Sequence, residues 1–191
     1  MGDMIKGNIA VAEAAVRAGI EVYAGYPITP STEVMEYLSD RLPALDRTFI
    51  QAESELAAIN MVMGVSACGR RVLTASSGPG ISLKQEGISY MAQMNYPAVI
   101  LNVVRWGNGL GSLDGAQTDY LRETRGGGNG DYRNIVLCPA TVQESVDLMY
   151  EAFDIAERYR CIVEIMTDSG IGQMMEPCDM PPFREIKKCD W

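Results

Sequence analysis

The sequence predicts an α/β fold, a mainly parallel, doubly wound sheet with helices on both faces. Six short β-branched or apolar stretches alternate with helical patterns along the chain, the arrangement that builds parallel sheets. Several of those stretches are apolar almost throughout, as expected of strands covered on both faces. Loops rich in glycine, proline and hydroxyl residues follow several of them directly, and open α/β folds bind ligands beyond the carboxyl ends of their strands.

Taken in order, the first helical pattern is "NIAVAEAAVRAG", which ends at Gly19, a residue suited to the left-handed cap of a helix. The strand "IEVYAGY" (20–26) follows and runs into "PITPST". Pro30 fits the first helical position of "STEVMEYLSDRL", with Thr29 as its N-cap. A short strand "TFIQ" (48–51) precedes the small, apolar helix "SELAAINMVMGVSACG". The strand "RVLTAS" (71–76) leads through "SGPG" to the helix "ISLKQEGISYMAQM", and "AVILNVV" (98–104) is the fourth strand. Residues 105–130 carry eight glycines, which is long for a connector inside a compact domain and implies a functional or partly mobile loop. "NIVLCP" (134–139) and "CIVEIMT" (161–167) flank a long helix opening at Thr141 and Glu144 with capping-box spacing. Beyond residue 170 the periodicity fades and Pro177, Pro181 and Pro182 appear. The expected division is therefore a domain over 1–170 and an extended linker over 171–191 leading to a second domain that is missing from this sequence.

Composition narrows the function. With 25 acidic and 16 basic residues and no basic run, the chain lacks the electrostatic footprint of a nucleic-acid binder or of a polybasic membrane surface. No stretch approaches the roughly 20 apolar residues of a membrane span, and "MGDMIKGN" has no signal-peptide core, so a cytoplasmic location is expected. Five cysteines are widely spaced without a C-x-x-C pair, which argues against a disulfide framework, a metal or an iron–sulfur site built by this chain alone. There is no histidine, so Ser-His and Cys-His nucleophile pairs are excluded. Chemistry here must run on carboxylates, backbone dipoles, lysine, arginine or a borrowed cofactor.

Three groups of residues could carry it. In "QAESELAAINMVMG" (51–64), Ser54 caps the helix and puts Glu55 in its first turn. Glu55 is either an acid favoured by the helix dipole or, among apolar neighbours that disfavour its charged form, a proton-exchanging group. "SSGPG" (76–80) is either a strand-to-helix turn or a place where backbone closely approaches a ligand. It is neither a P-loop nor a dinucleotide fingerprint, because no G-K-[ST] follows and the third glycine is missing. Arg105, ending the fourth strand, is either a surface arginine shielding Trp106 or a clamp for a carboxylate.

Five segments in order and spacing, "GYPITPST", "QAESELAAINMVMG", "TASSGPG", "VVRWGNGLG…QTDY" and "DSGIGQMMEP", resemble the α subunit of the 2-oxoacid:ferredoxin oxidoreductases. The resemblance covers nearly the whole chain and is closest to the branched-chain, 2-oxoisovalerate type, with 2-oxoglutarate, pyruvate and indolepyruvate types as relatives. It implies the pyrimidine-binding half of a thiamine diphosphate site. Glu55, Ala58 and Gly64 fall on the E-x-x-A-x-x-x-x-x-G spacing, so Glu55 rather than Glu53 would meet the ring nitrogen N1′ of the aminopyrimidine. Thr29 would face the substrate and the reactive thiazolium. Arg105 would pair with the 2-oxoacid carboxylate, and Ser77, Gly78, Pro79 and Gly80 would lie near the pyrimidine. Trp106 and Asn108 stand where the family carries a glycine and a proline. No diphosphate- and Mg²⁺-binding G-D-G…N signature is present. The resemblance assigns the diphosphate and Mg²⁺ to a β subunit and iron–sulfur clusters to further chains. It implies an enzyme active only in a hetero-oligomer, converting a 2-oxoacid and coenzyme A to acyl-CoA and carbon dioxide with electrons passed to ferredoxin. A non-catalytic scaffold built on the same domain is the alternative, and the presence of Glu55, Thr29 and Arg105 favours the enzyme.

Overall fold

The computed structural model describes residues 2–186 of the 191-residue chain. Six parallel strands form the central sheet: β2 (Val22–Gly25), β3 (Thr48–Gln51), β4 (Val72–Ser76), β5 (Ala98–Val104), β6 (Ile135–Leu137) and β7 (Ile162–Asp168). Their spatial order is β3-β2-β4-β5-β7-β6, so the sequence changes direction after β3 and β7 inserts between β5 and the edge strand β6. Every strand expected from the sequence is present, and the α/β class is confirmed. Register is tightest where β5 and β7 pair along seven residues, from Ala98↔Ile162 to Val104↔Asp168.

Alternation along the strands divides the interior in two. On one face Leu73, Val99, Leu101, Val163 and Ile165 pack against α1 (Gly7–Arg17), α2 (Thr32–Arg41) and α6 (Val142–Tyr159). α1 is buried nearly all round and uses alanines at positions 10, 12, 14 and 15 to let its neighbours approach. α6 is amphipathic, and its buried Val142, Val146, Met149, Phe153 and Ala156 recur at helical spacing. Thr141 Oγ1 accepts from Glu144 N at 3.1 Å. The reciprocal arm of that cap reaches Ala140 N, one residue further back than the usual capping box.

On the other face Val72, Ile100 and Ile162 pack against Ile59 and Val62 of α3 (Glu55–Ala67) and Ile81, Ile88 and Met91 of α4 (Gly78–Met94). Toward the carboxyl ends of the strands this second face turns polar: Thr74, Ser76, Asn102 and Glu164 are all buried there. A polar, buried band beneath the start of α4 is what positions the site.

Several expectations are corrected. α2 begins at Thr32, not Pro30, and Thr29 is not its cap. Residues 28–31 instead form a turn in which Ser31 N and Ser31 Oγ both donate to Ile28 O, while Asn8 Nδ2 donates to Pro30 O at 2.8 Å. α4 starts at Gly78, three residues before the expected helix, because Pro79 at its start leaves no donor wanting. The glycine-rich loop contains a short helix, α5 (Tyr120–Arg125). The segment expected to be an extended linker from residue 171 begins inside a short helix, α7 (Ser169–Gln173). It then forms β8 (Met175–Cys178), which pairs antiparallel with β1 (Asp3–Lys6) in a separate two-stranded sheet. The chain next crosses α1 and α2, where Phe183 lies under the guanidinium groups of Arg17 and Arg41. Cys189 lies outside the described residues. No helix among the described residues is long and apolar enough to cross a membrane, and no cluster of three or more His, Cys, Asp or Glu is placed there to hold a metal.

Candidate functional site

β3 ends three residues before Ser54, whose side chain accepts from Ala57 N at 3.1 Å and starts α3. That cap makes Glu55 the first residue of the helix. Glu55 is 6% exposed, whereas Glu53 points to solvent. α3 and α4 come together at Gly87, where an added Cβ would sit 2.7 Å from Ile59 Cγ1, so the missing side chain is what permits the approach. Near their amino ends the same closeness recurs at Gly80. An added Cβ there would lie 2.2 Å from Ser76 Oγ and 2.7 Å from Glu55 Oε1. The Glu55 carboxylate therefore rests against the first turn of α4 while heading the first turn of α3, and both positive helix ends favour a negative charge at that point. The hydroxyls of Ser76 and Ser77 are buried beside it without a hydrogen-bond partner.

Arg105 leaves the end of β5 and is 7% exposed. Its Nη1 donates to Thr29 O at 2.8 Å and its Nη2 to Leu110 O at 2.7 Å, tying the two loops together. Its Nε is buried without a partner and faces Gly78, whose φ of +45° suits glycine and whose added Cβ would lie 3.1 Å away. Trp106 is the exposed member of the pair, the reverse of an arginine shielding a tryptophan. Thr29 is itself exposed, at the rim of an open cleft of about 650 Å³ that Pro30, Glu33, Glu36, Leu113 and Asp114 also line. The structure thus brings the residues singled out in the sequence into one chain of contacts, Thr29 to Arg105 to Gly78, and Gly80 to Glu55, with Ser77 and Pro79 between.

Other participants had no signal in the sequence. Lys84, one turn after Gly80 on α4, has no exposed surface and donates to Thr74 Oγ1 at 2.6 Å. Burial pulls its pKa down to about 7, and the charge of Glu55 pulls the other way. Arg122 of α5 donates to Gly78 O and to Ser82 Oγ, and pairs with Asp119 and Glu123. Glu123 and Glu164 form a buried carboxyl pair joined to Asn102 and Asn134. Burial and the hydrogen bond with Glu123 push the Glu164 carboxyl well above its ordinary range. A second cleft of about 360 Å³ lies past β5, β6 and β7, lined by Gln117, Tyr120, Cys138 and Thr167. Glu55 lines neither of these two clefts.

A buried acid at paired helix ends, a glycine that keeps it against backbone, and an arginine tying the adjoining loops thus meet in one α/β domain. Residues 13–189 match the thiamine diphosphate-binding family of the pyruvate flavodoxin/ferredoxin oxidoreductases, and the chain belongs to that family. It is 54% identical over 178 residues to the ketoisovalerate oxidoreductase subunit VorB of Methanothermobacter thermautotrophicus, covering 93% of this chain and 51% of that one. It is 41% identical to the 2-oxoglutarate synthase subunit KorA of Archaeoglobus fulgidus, covering 97% of this chain and 54% of the relative. Among solved structures it is similar to a 2-oxoglutarate:ferredoxin oxidoreductase from Magnetococcus marinus with 2-oxoglutarate, coenzyme A and succinyl-CoA bound. That match has a TM-score of 0.91 at 31% identity, over 100% of this chain and 34% of that one. The chain spans about half the length of the curated relatives it matches.

The residues present fit the pyrimidine end of thiamine diphosphate. Glu55 offers a buried carboxyl, Ser76 and Ser77 offer unpartnered hydroxyls, and Gly78 and Gly80 leave backbone bare beside them.

Proposed function

We propose that this chain forms the pyrimidine-binding side of the active site in a thiamine diphosphate-dependent 2-oxoacid:ferredoxin oxidoreductase of the 2-oxoisovalerate type. The observation that carries this reading is the Glu55 carboxylate, buried and held against Gly80 at the meeting of two helix amino ends. Bound thiamine diphosphate supplies the carbanion chemistry that releases carbon dioxide from a 2-oxoacid. Glu55 holds or shares the proton at the ring nitrogen, and Ser77, Gly78, Pro79 and Gly80 flank the ring. Arg105 fixes the Thr29 loop through its carbonyl, and the guanidinium N–H groups not spent on the Thr29 and Leu110 carbonyls are its donors for a substrate carboxylate. Thr29 stands at the cleft mouth, where the substrate enters.

The cleft beside Thr29 carries Glu33, Glu36 and Asp114 and no cation among its lining residues. A dicarboxylate such as 2-oxoglutarate has a second charge to satisfy, which an acidic wall opposes, whereas an apolar branched chain has none. The stronger identity to the ketoisovalerate relative supports the same choice.

A partner chain completes the site in this reading. The outer faces of α3 and α4 expose Leu56, Leu83, Tyr90 and Met94 together. Gly64, in the interior of α3, has open space where a side chain would be, so nothing in this chain explains a residue that weakens a helix by roughly 0.5–1 kcal/mol. A covering β subunit that grips the diphosphate and Mg²⁺ accounts for both. Iron–sulfur clusters on further chains would pass electrons to ferredoxin, and coenzyme A would accept the acyl group, in a cytoplasmic complex.

Glu55→Gln in the assembled complex tests the reading. Subunit association should survive while acyl-CoA formation across a panel of 2-oxoacids falls by about 10²-fold or more. The unsubstituted complex should prefer 2-oxoisovalerate in the same assay. Near-normal turnover in the variant would reject Glu55 as the activating acid and favour a scaffold role.

A further inference from the structure

Lys84 is a fully buried lysine that the reading above leaves unused. It lies four residues after Gly80, on the side of α4 that meets Ser76 and Glu55 Oε1. Its hydrogen-bond acceptor, Thr74 Oγ1, lies two residues before Ser76 on the same face of β4. An ammonium group brings three donors, and here the protein offers it one hydroxyl at 2.6 Å. Packing alone does not call for this arrangement, because an unbranched apolar side chain would fill the same space without desolvating an amine.

The charges on this side of the sheet come from several elements. α3 supplies Glu55, β7 supplies Glu164, α5 and the residue before it supply Glu123, Arg122 and Asp119, and the loop after β5 supplies Arg105, which is engaged with the Thr29 and Leu110 carbonyls, while β4 and β5 themselves supply only the neutral Thr74, Ser76 and Asn102. Glu123, Glu164 and Arg122 are engaged with one another and with Asn134 and Asn102. Glu55 is the acid whose charge acts on Lys84.

Resting on the assignment of Glu55 as the cofactor's acid, we propose that Lys84 is a positioning residue for that acid, a buried amine set behind the first turn of α4 whose positive charge draws the Glu55 side chain into place against Gly80. When Lys84 releases its proton to solvent, that attraction is withdrawn. Lys84 thereby makes the working geometry of the site depend on pH through its own proton. Burial brings the amine close enough to neutrality for the change to occur at working pH, with a pKa of about 7.

The chain has only four lysines, Lys6, Lys84, Lys187 and Lys188, so the protein with ¹³Cε-labelled lysine gives a spectrum in which Lys84 is assigned by its loss in Lys84→Met. Its signal should titrate near neutrality, and Glu55→Gln should displace that midpoint downward by roughly half a unit or more, since a supporting negative charge is gone. A midpoint in the ordinary lysine range, or one indifferent to Glu55→Gln, overturns the proposal. In the assembled, cofactor-loaded complex, Lys84→Met should move the pH profile of kcat and the pH dependence of the cofactor's near-ultraviolet circular dichroism, while KM changes little. Lys84→Gln, which also lacks the titrating amine, should reproduce both shifts and serves where the methionine variant does not assemble. Profiles unchanged in these variants overturn the role of Lys84 while leaving Glu55 intact, provided Glu55→Gln is inactive. Full turnover in Glu55→Gln removes the premise and overturns both.

Discussion

At position 80 a methyl group would have to sit 2.7 Å from Glu55 Oε1 and 2.2 Å from Ser76 Oγ, closer than side-chain carbons approach oxygen, so one of those groups must turn away. Gly80→Ala should destabilise the chain by about 1–3 kcal/mol in denaturant unfolding. It should also weaken thiamine diphosphate binding by the assembled complex, measured by titration calorimetry. Lys84 makes a prediction of opposite sign. Its pKa falls from 10.5 to about 7 on folding, so between those values the unfolded chain binds a proton that the folded chain releases. Stability should therefore rise with pH across that window, by about 1.4 kcal/mol per unit, with the penalty fully present below it. Lys84→Met should abolish the rise and be the more stable protein at neutral pH, as unfolding titrations over a pH series would show. The place of Glu55 at the head of α3 was legible because a capping serine and a helix start are written locally. Lys84 was not, because a lysine within a helix ordinarily reads as solvent-facing and only the fold reveals that it points inward.

Among the secondary-structure elements, α5 shows how a loop that looked unstructured is held. Its six residues are too few to persist alone. Tertiary contacts fix it instead, with Glu123 beside Asn102, Arg122 and the Glu164 carboxyl of β7. Through Arg122 and the Gly78 carbonyl this clamp reaches the start of α4. Because the Glu164 carboxyl is raised in the folded state, its contribution is full below the ordinary glutamate range and is lost as pH rises, since the unfolded chain then gives up a proton the folded one must keep. Glu164→Gln keeps an amide in place of the titrating acid. Its thermal unfolding should show a stability less sensitive to pH above the ordinary glutamate range, with a gain over the parent at the upper end. The long periodic elements, β5, α6 and β7, could be read from pattern alone, since burial on both faces or on one stripe leaves a strong signature. The β1–β8 pair could not: each strand has four residues, and Pro177 argues against a strand except at an edge, which is where it lies. The turn at 28–31 likewise displaced the expected cap, because Asn8 of α1, distant in sequence, holds the Pro30 carbonyl.

Over the whole molecule, the fold brings four strand-end loops to one edge and buries the acid beneath them, where α3 meets the start of α4. That convergence followed from the α/β alternation. The clefts did not, because their walls combine residues as far apart as Thr29 and Gln173, or Val104 and Ile171. The exposed Leu56, Leu83, Tyr90 and Met94 and the open position at Gly64 point to a covering partner. Titration calorimetry of thiamine diphosphate and Mg²⁺ tests this most directly, using this chain, its diphosphate-binding partner, and the two combined. Tight binding should appear only in the combination and should weaken there in Glu55→Gln. Equally tight binding by this chain alone, or no effect of the substitution on the combined proteins, would contradict a shared site built around Glu55.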